Sequence, residues 1–178
     1  MPKPPKLEVS KSATVYLGID PGVNGGLAAI FNGNVEAIPM PETERDLFEW
    51  LSQWYSIDTV AVVEEQWPRP TFFGGKNSIL KSTCLLYGHY TLIRGMLTAL
   101  KVKFEEQRPQ EWLKGLSIPS GKKREVESKD WKKHLRGKAQ QLFPDLPVWE
   151  EKRALGRQLA ISDALLIAEW CRRKHGNK

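Results

Sequence analysis

The chain has 178 residues, a formal net charge of +6 and a sequence pI near 9.3, with 40% hydrophobic and 27% charged residues. One domain of that length buries about two-thirds of its unfolded surface, so its core needs neither disulfides nor a structural metal. No apolar run approaches the ~18 residues of a membrane-spanning helix, which argues against a membrane partner.

Residues 1–12 of the opening MPKPPKLEVSKSA carry no signal-peptide apolar region and read as a disordered leader, with residues 13–175 forming one domain. The protein is accordingly expected inside the cell, in a cytoplasm, nucleoid or organelle. Residues 14–20 read as a strand closed by the turn Pro21-Gly22. Leu27–Phe31 and Val35–Ile38 read as two more strands around Asn32-Gly33, a pair that tolerates the positive φ of a tight hairpin turn. Thr43–Trp54 fits an amphipathic helix with Thr43 as cap and Leu47, Trp50, Leu51 and Trp54 on one face. Thr59–Glu65 contains the uninterrupted apolar run Val60–Val63, the pattern of a strand covered on both faces.

Residues 66–77 form a loop rich in glycine, proline and aromatics, followed by a helix over Ser78–Leu100 and a strand over Lys103–Gln107. Pro109 suits the first position of a short helix to Lys114. Residues 115–128 read as a mobile loop. A basic helix spans Ser128–Phe143, and a last helix starts after Glu151 and runs to Arg173. This order implies an α/β fold with a five-stranded mixed sheet flanked by helices. Cys84 and Cys171 lack metal-ligand spacing and read as small core residues of a protein in a reducing compartment.

The positive charge is concentrated. Lys114, Lys122, Lys123, Arg124, Lys129, Lys132, Lys133, Arg136 and Lys138 crowd one stretch against Glu125, Glu127 and Asp130. Such a block suits a polyanion, or else a solvated helix face.

Three positions for carboxylates carry the chemistry. Asp20 ends an apolar strand, where open α/β sheets bind ligands and where an aspartate also caps turns. Glu64 and Glu65 end the buried strand, and because side chains alternate only one of them faces Asp20. Asp163 shares a helix face with Leu159, Leu166 and Trp170, where a carboxylate is costly unless paired or bound to a cation. Carboxylates gathered from two strands and a helix repel one another unless a divalent cation compensates. Magnesium fits hard oxygen ligands, with manganese as a substitute. Two ions about 4 Å apart would support in-line phosphodiester cleavage.

The segments LGIDPGVNGGLAAI (17–30), VVEEQ (62–66), RPQEWLKGL (108–116) and ISDALLIAEW (161–170) together resemble the RuvC-type Holliday-junction resolvases. The likeness spans roughly residues 14–174. It implies an RNase H-like fold, a homodimer, four-way-junction DNA as substrate and no nucleotide cofactor. By position it makes Asp20, Glu65 and Asp163 the metal ligands, since Glu-Gln before an aromatic loop recurs in the family. Lys114 and one of Lys129, Lys132 and Lys133 match phosphate-stabilising positions, with Lys132 preferred as catalytic. The chain departs from the family at Ala160, where a fourth ligand stands; Glu64, Gln158 or Ser162 are substitutes.

Phe72 and Phe73, beside Gly74-Gly75 and Lys76, suit stacking on junction bases or packing beneath their own loop. With Lys114, Lys122, Lys123, Arg124, Lys129 and Lys133 they form the expected DNA-binding set. Cys84, Gly88, Thr91 and Gly95 form a small-residue stripe that suits either a two-fold dimer contact or packing on the subunit's own sheet. A non-catalytic DNA-binding module, and a less selective RNase H-like nuclease acting on flaps or hybrids, are the alternative functions.

Overall fold

A computed structural model describes residues 14–55, 58–66, 81–119, 127, 130–151 and 154–176. The expected leader, most of the aromatic loop with Phe72, Phe73 and Lys76, and the basic positions Lys122, Lys123, Arg124 and Lys129 lie outside the described residues.

The first three strands are β1 (Val15–Asp20), β2 (Gly26–Phe31) and β3 (Asn34–Pro39), an antiparallel meander. Asn32 and Gly33 both take positive φ, as the hairpin pattern requires. Helix α1 (Glu44–Gln53) follows, its Thr43 hydroxyl accepting the Asp46 N–H at 3.1 Å. Strand β4 (Thr59–Glu64), helix α2 (Lys81–Ala99) and strand β5 (Lys103–Gln107) come next. Helices α3 (Pro109–Gly115), α4 (Trp131–Leu142) and α5 (Leu155–His175) complete the fold. The sheet order is β3-β2-β1-β4-β5, with β4 parallel to both β1 and β5. The five-stranded mixed sheet expected from the element order is therefore present.

Helices cover both faces of the sheet. One core joins Val15, Leu17, Ile19, Ala61 and Val63 to Leu47, Trp50 and Leu51 of α1 and to Tyr90, Ile93 and Leu97 of α2. The opposite core joins Ala28, Ile30 and Val62 to Trp112 of α3, Leu135 of α4 and the buried length of α5. Interior strand β4 feeds both, so its apolar run is continuous rather than alternating.

Helix α5 lies unusually close to β1. A Cβ on Gly18 would come within 2.2 Å of the Ala164 carbonyl oxygen and of the Ala168 nitrogen. The missing side chain lets the helix backbone rest directly on the strand. Residues 160–169 of α5 are buried around the whole helix, which explains why no simple amphipathic stripe marks it.

One expectation changes and one alternative closes. Cys171 is buried, but Cys84 is exposed and does not serve the core. The stripe Cys84, Gly88, Thr91 and Gly95 points outward, with open space around both glycines, so it does not pack on the subunit's own sheet. No described helix is long and apolar enough to cross a membrane.

Candidate active site

The parallel register of β1 and β4 assembles the site. Ile19 pairs with Val63, so Asp20 and Glu64 follow side by side and point to the same face. That face is the one covered by α5, since Gly18 and Val62 two residues earlier both meet it. Asp163, 6% exposed, projects from α5 into the same region. The expected Glu65 is displaced from this cluster by alternation. It follows Val63 onto the opposite face, where it pairs with Arg108 at 3.0 Å. The carboxylate that joins Asp20 and Asp163 is Glu64.

Hairpin and turn geometry hold Asp20 in place. Its Oδ1 accepts the Gly22 N–H at 3.2 Å. A Cβ on Gly25 would fall 2.3 Å from the Asp20 carbonyl oxygen and 2.7 Å from its Cγ, so only glycine closes this turn around the carboxylate. Lys132, on the first turn of α4, donates its ammonium to Asp163 Oδ2 and stands 4.0 Å from Asp20 Oδ2. Glu64 is held differently: its Oε2 accepts the Trp112 indole N–H at 3.2 Å and its Oε1 accepts the Gln66 amide at 3.2 Å.

The electrostatics record an excess of negative charge. Burial, then the charge of Asp163, raises the Asp20 pKa to about 6, against the opposing pull of Lys132 and the Gly22 N–H. Burial, then Asp20 and Asp163, raises Glu64 to about 8, with Lys132 and Trp112 opposing. For Lys132, burial disfavours the ammonium, but Asp163, Asp20 and Glu64 outweigh it and the pKa rises. Among the described residues one ammonium serves three carboxylates.

Two further observations suit a hard cation. Asp163 Oδ1 is buried without a hydrogen-bond partner among the described residues. The donor set consists of carboxylate oxygens, the ligands magnesium prefers. Among the described residues no three His, Cys, Asp or Glu side chains are gathered tightly enough to enclose an ion, and it is the Lys132 ammonium that reaches both Asp163 and Asp20.

The remaining positions sort clearly. Ala160 is buried and supplies no ligand. Of its expected substitutes, Gln158 is engaged by Arg136 at 2.7 Å and by the Val148 carbonyl, and the Ser162 hydroxyl donates to the Gln158 carbonyl. Only Glu64 stands among the carboxylates. Lys114 is exposed in the last turn of α3, and Lys133 is exposed on α4, 3.8 Å from Asp130.

Sequence reasoning missed Trp112 and Gln66 as partners of the site. Trp112 lies within the RPQEWLKGL segment, which carries no sign of its contact with Glu64.

No protein-family model matches the chain, and no curated protein matches its sequence. Among solved structures it is similar to Thermus thermophilus RuvC in complex with a Holliday junction substrate, with a TM-score of 0.51 and 17% identity over 91% of this chain and 96% of that one. A second Thermus thermophilus RuvC structure gives a TM-score of 0.49 and 16% identity over 92% and 97%. At these identities the likeness is one of fold. The chain shares with RuvC the five-stranded mixed sheet flanked by helices, the RNase H-like arrangement that the sequence resemblance implies.

Proposed function

We infer that the protein is a divalent-metal-dependent DNA endonuclease that resolves four-way junctions by paired nicks. The observation that carries this reading is the meeting of Asp20, Glu64 and Asp163 around Lys132, beside a basic α4. The orphaned oxygen of Asp163 and the raised pKa values of its neighbours mark a site short of positive charge.

Asp20, Glu64 and Asp163 would hold the cation, magnesium in the first instance and manganese as a substitute; the number of ions is proposed as two. When bound, a metal of this kind activates water and stabilises the leaving oxygen of a phosphodiester. The protein's own residues do the rest. Gly18 and Gly25 fix Asp163 and Asp20 by letting backbone approach closely. Lys132 offsets part of the carboxylates' charge in the free protein and, once they are otherwise compensated, is available to the scissile phosphate. Lys133, Arg136 and Lys138 on the same helix, with Lys114, supply sequence-independent phosphate contacts.

A homodimer suits a junction that itself presents two-fold symmetry. The α2 stripe supports it: Cys84, Gly88 and Gly95 open onto a groove of about 770 Å³ between α1 and α2, edged by the apolar side chains Phe48, Leu85 and Leu92. Residues 13–175 are proposed to act as one nuclease domain.

The ion pair of Lys132 with Asp163 favours a second reading, a junction-binding module whose carboxylates are neutralised internally. Cleavage of a labelled four-way junction and a matched linear duplex, with magnesium and with chelator, separates the two. The nuclease reading expects paired nicks on the junction only, lost in Asp20→Asn while junction binding persists. Binding without nicking in magnesium or manganese would favour the module.

A further inference from the structure

Glu64 and its neighbours are held in two chemically distinct ways. Glu65 and Asp163 each receive a cation, from Arg108 and Lys132 respectively. Glu64 receives two neutral N–H groups, one on each oxygen. A cationic partner offsets a carboxylate's charge and competes with a metal for the oxygen it occupies, as Lys132 does at Asp163 Oδ2 while Oδ1 is left over. A neutral donor fixes the plane of the carboxylate and leaves its charge and its remaining lone pairs available.

Trp112 is the more constrained of the two donors. Its side chain is 1% exposed, packed in the core beneath α5 together with Val62 and Leu113. Helix α3 is seven residues long and opens with Pro109, directly after β5, so the indole is anchored to the strand adjacent to β4. Its N–H is buried, and Glu64 is the acceptor it meets. A buried indole N–H needs an acceptor, and here that acceptor is a carboxylate of the cluster.

We propose that Trp112 is a positioning residue for the reaction, which orients the Glu64 carboxylate toward the cation site through a neutral indole hydrogen bond. This rests on the metal-dependent reading above and assigns a role outside the carboxylates themselves. Loss of such an outer partner typically lowers metal affinity or activity about 10–100-fold.

The test is manganese binding, followed by electron paramagnetic resonance of free Mn²⁺, in a double-mutant cycle with Trp112→Phe and Glu64→Gln. Trp112→Phe keeps an aromatic ring and removes the N–H. The expected result is an about tenfold or larger loss of affinity in the wild-type background and no further loss in the Glu64→Gln background. The same loss in both backgrounds would make Trp112 a packing residue and overturn the proposal, as would unchanged binding by Trp112→Phe.

Nuclear magnetic resonance of the wild-type indole N–H gives a second reading that needs no tryptophan variant. The Trp112 resonance should move on adding Mg²⁺ and in Glu64→Gln, and hold still in Glu65→Gln. A resonance indifferent to Glu64→Gln overturns the proposal. Manganese binding that depends on Trp112 in a protein that cleaves no junction would sink the nuclease reading and leave the positioning role standing. Cleavage and binding both indifferent to Trp112→Phe would do the reverse.

Discussion

The two faces of the sheet at the end of β4 show how one step along a strand changes the chemistry. Glu64 turns toward α5, joins Asp20 and Asp163 and is held by neutral donors. Glu65 turns toward the α2 side and is taken up by Arg108 in an ion pair with the arginine 58% exposed. Among the described residues the first environment gives three carboxylates one shared ammonium, Lys132, whereas the second gives Glu65 an arginine of its own. A site that is to bind a cation must be of the first kind, because carboxylates that outnumber their cationic partners have negative charge left for a metal.

Neutralising each glutamate in turn separates the two environments most strongly. Glu64→Gln should reduce junction cleavage to the level seen with chelator, while Glu65→Gln retains wild-type cleavage within a few-fold. An exposed ion pair contributes about 0–1 kcal/mol, so Glu65→Gln should also leave thermal stability nearly unchanged. Equal loss of cleavage in both variants would place the active carboxylate elsewhere.

The faces also differ in how they are packed. The site face depends on backbone contact at Gly18, the other on bulky side chains such as Ile19. Gly18→Ala must push α5 away from β1 and should cost about 3 kcal/mol or more, since overpacking at backbone cannot be relieved by a rotamer change. Ile19→Val should cost about 0.5–1.5 kcal/mol. Chemical denaturation of both variants measures the difference; a Gly18→Ala protein as stable as the wild type would contradict the close approach.

Most of the fold was legible in the sequence, because its signals are local. Asn32-Gly33 set the hairpin, Thr43 capped α1, and Pro109 opened α3 where expected. Asp20 and Asp163 were legible too, each a carboxylate out of keeping with its apolar neighbours. The choice between Glu64 and Glu65 was not. Val60–Val63 is apolar on both faces, so its pattern carries no parity, and only the register against β1 decides which side chain turns to α5. Register is a tertiary property. The outward turn of Cys84 was hidden for a related reason: α2 presents small residues to solvent, where an apolar pattern suggests a core.

Acidity offers a gentler probe. Asp20 and Glu64 have folded pKa values of about 6 and about 8, above their ordinary values of 3.8 and 4.5. Their contribution to stability is complete below those ordinary values and is lost as pH rises through about 6 and about 8. In chelator, the melting temperature should therefore fall as pH is raised from about 5 to about 8, and magnesium should restore more of it at the upper end. Glu64→Gln should flatten the upper part of that slope, and Glu65→Gln should not. A melting temperature that rises across this range in chelator would contradict the uncompensated cluster.

The smallest effect concerns the thiols. Burial, with the charge of Glu105, raises the Cys171 pKa to about 12, whereas Cys84 is exposed on α2. A thiol reagent should label Cys84 in the native protein and reach Cys171 only on unfolding. Labelling of Cys171 without unfolding would argue against the close seat of α5 on the sheet.

The most direct test of the central claim compares wild type, Glu64→Gln and Glu65→Gln on one labelled four-way junction in magnesium, with a chelator control. Paired nicks are expected from the wild type and Glu65→Gln, none from Glu64→Gln, and none from any of the three in chelator. An active Glu64→Gln beside an inactive Glu65→Gln, or nicking that persists in chelator, would contradict it.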